Sequence, residues 1–218
     1  MVQITAARPQ EAHQRSLLQK RRILEAASRV FRRRGLHATG MRHIAAELGM
    51  HVGNLYYYFR NKQELLAFCQ QDALSGLQAL AEETQRQPLA ADQKLARLIE
   101  GHVELVNETT PGSLAHLEVE ALEAPWRQQI TRQRDAYERC YRRLIEEGIA
   151  SGLFRPVEPK VASMAILGAL NWTVKWYRSE GGRGAREIGA QFAELLVGGL
   201  QARSAPPRAR SAAGQGQN

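Results

Sequence analysis

In residues 41–60, MRHIAAELGMHVGNLYYYFR, the side chains able to do chemistry are hydrogen-bonding and cationic rather than nucleophilic. His51, Asn54 and Tyr56 fall at the start of a short helical segment. From there an imidazole, an amide and a phenol can reach base edges in a DNA major groove. Tyr57, Tyr58, Lys62, Thr39 and Arg42 are of the types that bond phosphate oxygens and position a protein on a duplex without reading its sequence. Three consecutive tyrosines cannot all face one way, so at least one is expected to pack, together with Leu55 and Phe59.

Charge points to the same end of the chain. Residues 1–62 hold 12 Lys and Arg against 3 Asp and Glu, a net +9, whereas residues 63–200 hold 15 against 19 and are net acidic. A basic folded segment attracts a polyanion because neutralised phosphates release their counterions. The arginines at 32–34 read as a solvated face that adds long-range attraction. Enzyme chemistry has little to stand on. There is no nucleophile elbow, phosphate loop, HExxH or paired-carboxylate arrangement, and Glu118, Glu120 and Glu123 read as the solvated face of a short charged helix. Cys69 and Cys140 lack metal-type spacing and read as small packed residues, so neither a metal nor a cofactor is expected. No run of 18 apolar residues and no signal-type start are present, which leads to the expectation of a cytoplasmic protein.

The elements that must position these residues are helical throughout. Ile23, Ala26, Ala27, Val30 and Phe31 repeat with a helical period opposite Arg22, Arg29, Arg32 and Arg33, and Gly35 closes that helix. Short helices over about 41–48 and 52–59 flank Gly49, where positive φ suits a tight turn, and Ala45 is small where the second helix must approach. Asn61 with Glu64 reads as the capped start of a long helix ended by Pro88. Further helices are expected over about 91–109, 112–122, 124–151, 159–179 and 185–202, with no strand alternation and no repeat.

The stretch 21–66 closely resembles the DNA-binding domain of the TetR (tetracycline repressor) family, with Gly35, Thr39, Ile44, Ala45, Gly49, Leu55, Tyr56, Phe59 and Lys62 where that family has them. The resemblance implies a three-helix head, a larger helical ligand domain and a homodimer. It departs at the turn, where His51 and Val52 stand in place of a hydroxyl residue and a frequent Lys, and Val52 cannot replace a cation.

Farther along, Ile130, Tyr137, Tyr141 and Leu144 form an apolar stripe opposite Arg132, Arg139 and Arg143. The stripe faces the interior as core or as a pocket wall, and the resemblance makes Tyr137 and Tyr141 the candidates for the wall. Ala162, Ala165, Gly168 and Ala169, with Ile188, Phe192, Leu195, Leu196 and Gly199 on the closing helix, suit a four-helix dimer interface. The segment GALNWTVKWYR and the closing REIGAQFAELLVGGL look like TetR regulators of fatty-acid or sterol breakdown that respond to acyl-CoA. That likeness makes Trp172, Lys175 and Trp176 candidates for adenine or phosphate contacts.

The expectation is an all-α protein. It has a flexible arm at 1–15, a helix-turn-helix domain at 16–62, a ligand-binding and dimerisation domain at 63–203, and a disordered tail at 204–218. Its function is that of a ligand-responsive transcriptional repressor on a palindromic operator. Its partners are double-stranded DNA, a second copy of itself and a small-molecule effector of the acyl-CoA kind. A DNA-binding protein without effector and a helical CoA- or lipid-binding carrier are the alternative readings.

Overall fold

The computed structural model describes residues 9–109 and 118–202, with side chains from residue 13 onward. Within it α1 (Pro9–Arg34), α2 (Met41–Glu47) and α3 (Val52–Tyr58) form a head, and α4 (Lys62–Arg86) leads out of it. A bundle follows, made of α5 (Ala91–Glu104), α6 (Ala124–Ala150), α7 (Pro159–Trp176) and α8 (Ala185–Leu200). Phe154 and Gln201 make an isolated antiparallel bridge, and the described residues contain no strand. No described helix is long and apolar enough to cross a membrane.

Several boundaries differ from expectation. α1 begins at Pro9, so the second half of the expected arm is helical, while residues 1–8 and the tail from 203 lie outside the described residues. The helix expected at 91–109 ends as a π-helical turn, Leu105–Thr109. Of the helix expected at 112–122, residues 110–117 lie outside the described residues and the rest holds one 3-10 turn, Val119–Ala121. Glu118, Glu120 and Glu123 therefore sit on a turn and its flanks.

Local chemistry explains the starts and stops. Gly35 and Gly49 adopt φ of 79° and 63°, a region that costs side-chain-bearing residues energy, and they close α1 and form the turn between α2 and α3. Asn61 Oδ1 accepts from Glu64 N at 2.8 Å, while the Glu64 carboxylate accepts from Arg60 N at 2.7 Å, so the two side chains cap α4 as a pair. Pro125 and Pro159 open α6 and α7, where a missing N–H costs nothing.

The apolar residues divide into two cores, and the division does not follow the expected boundary at 62. The first joins Ile23, Phe31, Ile44, Leu55 and Phe59 of the head to Leu65, Leu66, Cys69 and Leu74 of α4, and then to Leu122, just before α6, and Ile130 in its second turn. The second lies among the far half of α4 and α5 to α8. In it α5 and α8 approach closely, so that a Cβ on Gly189 would stand 2.9 Å from the Glu100 carbonyl oxygen.

Inside the second core a polar relay crosses from α5 to α6. His102 Nδ1 lies 3.1 Å from Tyr137 Oη, which lies 3.2 Å from Tyr141 Oη, and the Tyr141 hydroxyl donates to the Leu98 carbonyl at 3.3 Å. All three side chains are buried. Burial disfavours charge on each, pushing the phenols up and the His102 imidazole down to about 3. The folded protein therefore holds His102 neutral, while the unfolded chain protonates it near pH 6.5. Stability should be at its full value above about pH 6.5 and fall as the pH drops toward about 3, because the unfolded state then binds the extra proton. Denaturation midpoints measured across that window should fall more steeply for the wild type than for His102→Gln; equal slopes would contradict a buried neutral imidazole.

Candidate nucleic-acid interface and effector cavity

The head is fixed by pairing between helices. Glu47 of α2 accepts from Arg29 at 2.9 Å and from Arg33, and these two guanidiniums, Arg33 foremost, hold its carboxyl below the usual range. Arg33 thus clamps α1 to α2 while its side chain stays 57% exposed. Lys20 lies over the Phe59 and Phe68 rings at 5.6 and 5.1 Å from their centres. Part of the basic block is therefore structural. His43 Nδ1 accepts from Gly40 N at 3.1 Å and caps α2.

α3 buries Leu55, with Phe59 just beyond it, packs Val52 and Tyr58 partly against the head core, and turns its other side chains outward. Asn54, Tyr56 and Tyr57 are exposed, Tyr57 at 83%. Tyr58 is the tyrosine that packs, half-buried against the head core with its ring edge-on to Tyr57. His51 is the N-cap of α3: its Nδ1 accepts from Gly53 N at 3.3 Å, which leaves Nε2 outward. Arg42 is exposed on α2.

Two of the phosphate candidates have structural partners. Thr39 is 2% exposed and its only hydroxyl proton goes to the Gly35 carbonyl at 2.7 Å, so it holds the loop before α2 and has no proton for a phosphate. The Lys62 ammonium donates to the Leu36 carbonyl, tying the start of α4 to the same loop, and its burial lowers its affinity for a proton. The structure thus brings Arg42, His51, Asn54, Tyr56 and Tyr57 onto the exposed surface of α2 and α3, with Thr39, Tyr58 and Lys62 bracing it from behind.

Among the effector candidates, Tyr137 and Tyr141 belong to the buried relay. Trp172 is 61% exposed, and Trp176, also exposed, stacks on Phe192 with ring centres 6.4 Å apart. The tryptophans therefore lie on the outer surface of α7 and α8. Lys175 pairs with Glu118 at 3.7 Å and borders a cavity of about 350 Å³ that also touches Arg32, Asn107, Tyr177 and Arg178, where the end of α1 meets the end of α7.

Four working groups went unnoticed in the sequence. Gln63 grips the segment before α6 with both ends of its amide: Nε2 donates to the Ala121 carbonyl at 2.9 Å and Oε1 accepts from Glu123 N at 3.0 Å. Gln70 adds a bond to the Glu118 carbonyl at 3.3 Å. Glu108 accepts from Tyr177 Oη and from Ala185 N at 3.0 Å, joining the π-helical turn to the end of α7 and the start of α8; these bonds, the Ala185 amide foremost, lower its pKa. His102 carried a signal, since it falls beside Leu98, Ile99 and Val103 on the apolar face of α5. Nothing in the spacing of Gln63 marked it.

Residues 23–68 match the family described as bacterial regulatory proteins, tetR family, and residues 88–200 match the tetracyclin repressor-like C-terminal domain. Among solved structures, the TetR family transcriptional regulator PfmR from Thermus thermophilus superposes with a TM-score of 0.75 at 31% identity, covering 83% of this chain and 100% of that one. The structure of AibR in complex with isovaleryl coenzyme A and operator DNA superposes with a TM-score of 0.71 at 25% identity, covering 84% and 97% of the two chains. The fatty acid metabolism regulator protein of Bacillus subtilis (strain 168) is 26% identical over 181 residues, 82% of this chain and 93% of that protein. With a helix-turn-helix head whose recognition surface faces outward, a helical C-terminal domain, and both parts matched, the chain belongs to the TetR family of bacterial transcriptional regulators and is a DNA-binding regulator, not an enzyme.

Proposed function

We propose that the protein is a repressor that binds a palindromic operator as a homodimer and releases it when an acyl-CoA thioester binds its C-terminal domain. The observation that carries the reading is the row of exposed hydrogen-bonding side chains on α3, mounted on a head that shares its core with α4 and α6. Asn54, Tyr56 and the free side of His51 are the base-reading groups, and Tyr57 and Arg42 contact phosphates. The effector class is supported by the likeness to AibR, whose structure holds isovaleryl coenzyme A, and to a fatty acid metabolism regulator.

Dimerisation is supported by surface that a monomer leaves bare. Val161, Met164 and Trp172 of α7 are exposed, and Leu195 of α8 is 73% exposed, beside the stacked Trp176 and Phe192. Such a patch on a water-facing surface favours a self-complementary contact. Ala162 packs on the monomer's own core and not on this face, while Gly168 is exposed and has open space around the position of a Cβ. Two linked heads convert the second half-site contact into a local event, which is how modest individual contacts give specific binding.

The lever is α4, 25 residues and so about 37 Å long at 1.5 Å per residue. A small tilt at its far end shifts the heads relative to successive major grooves. A coupling of about 1–3 kcal/mol between effector and operator lowers operator affinity about 5- to 150-fold.

Two measurements follow. Binding to the chain's own upstream region should fall steeply with salt; Tyr57→Phe should weaken binding to all duplexes, while Asn54→Ala should relax base choice by about 1–3 kcal/mol if its amide bonds one base twice. Equal affinity for that region and a random duplex across a salt titration would end the repressor reading. Leu195→Glu should leave a folded monomer of reduced operator affinity in sedimentation, and a wild type that sediments as a monomer at micromolar concentration would rule out the dimer.

A further inference from the structure

α3 holds no Asp, Glu, Lys or Arg, so its base-reading surface works with neutral groups. Most of these can reverse their role. An amide presents a donor or an acceptor according to how it turns, and a phenol can give or take a hydrogen bond. Asn54, Tyr56 and Tyr57 therefore fit several bases. His51 is different, because the fold settles which of its two ring nitrogens carries the proton.

His51 Nδ1 accepts from Gly53 N at 3.3 Å. A ring nitrogen that accepts carries no proton, so in the neutral imidazole the proton sits on Nε2, the nitrogen that faces outward. The His51 carbonyl also accepts from Asn54 N at 3.0 Å. The residue is thus held at its backbone and at its ring, and a proton on Nδ1 would uncap α3 and set two N–H groups face to face. Gly53 makes the room for this. A Cβ there would stand 3.3 Å from Nδ1, closer than a side chain and a ring pack without one giving way. Glycine is a poor helix former, so this exposed helical position gives up helix propensity for the ring that lies over its amide.

We propose that His51 is a hydrogen-bond donor of fixed polarity and that it selects guanine at one position of each operator half-site. The inference rests on the operator reading above. Guanine is the base whose major-groove edge offers two acceptors, N7 and O6, and no donor. Adenine puts an amino group beside its N7, cytosine presents an amino group alone, and thymine sets a methyl beside its one acceptor. An N–H that cannot turn into an acceptor has no partner in an amino group, and the mismatch leaves desolvated donors unpaired. The commonest reader of guanine is a charged arginine or lysine; α3 has neither, and the neutral imidazole takes that place.

Three measurements on the full chain test this. Long-range nitrogen-15 NMR at pH 8 should find the His51 proton on Nε2 in the free protein, and a ring protonated on Nδ1 would overturn the assignment. Each base pair of the half-site is then replaced in turn by the other three, in both half-sites together, and affinity is measured for the wild type and for His51→Ser, whose shorter hydroxyl still caps α3. At one position the wild type should prefer guanine by about tenfold, a few-fold per half-site, while His51→Ser binds all four bases alike there and keeps its choice everywhere else. Unchanged affinity for a random duplex shows that the variant is folded. A preference that survives at every position in His51→Ser, or the loss of a preference for a base other than guanine, would overturn the proposal. So would a uniform loss: if His51→Ser weakens all duplexes equally, and a neutral methylphosphonate at one phosphate weakens the wild type but not the variant, the donor serves a phosphate. A wild type with no preference among duplexes removes the operator reading itself, whereas a preference untouched by His51→Ser removes only the role of this residue.

Discussion

The head and the body of this protein are held by one shared core. Leu122, just before α6, and Ile130, in its second turn, are buried in one core with Ile23, Leu55, Phe59 and Leu66, and the Gln63 amide closes the seam with a donor and an acceptor on the backbone at 121 and 123. Rotating the head against α6 would bare those side chains and break both Gln63 bonds. Hydrophobic burial and hydrogen-bond satisfaction therefore oppose the same motion. The seam lies next to the N-cap of α4 and one turn beyond α3, so whatever shifts α6 shifts the reading surface.

Such an arrangement gives linkage a route. α6 spans both cores: its first turns lie in the head core and its middle carries Tyr137 and Tyr141. A ligand that displaced α6 would act on both cores through one helix. The other connection, from the π-helical turn through Glu108 to Tyr177 and the first residue of α8, holds the far ends of α7 and α8 in register. Irregular turns of this kind inside or at the end of a helix are common where a fold must accommodate a site.

Local rules were legible in the sequence and tertiary partnerships were not. Gly35 and Gly49 were readable because few residues tolerate positive φ, and the Asn61 and Glu64 caps because a capping pair lies within one turn. The split between buried Leu55 and Phe59 and exposed Asn54, Tyr56 and Tyr57 followed from helical period. Thr39 and Lys62 had the chemistry of phosphate contacts, but their partners, Gly35 and Leu36, are backbone carbonyls that no side-chain pattern announces. Trp172 and Trp176 look the same in a helical periodicity whether they line a cavity or an outer face, and only the placement of α8 puts them outside. Gln63 acts on residues almost sixty positions away, a separation beyond the reach of local spacing.

The most direct measurement of the linkage is reciprocal binding. Octanoyl-CoA affinity is determined for the free protein and for its operator complex, and operator affinity with and without octanoyl-CoA, in the wild type and in Gln63→Ala. Linkage through the seam predicts the same factor in both directions for the wild type, about 5- to 150-fold, and a factor near one in Gln63→Ala with both individual affinities retained. A wild-type factor of one, or an undiminished factor in Gln63→Ala, would contradict it.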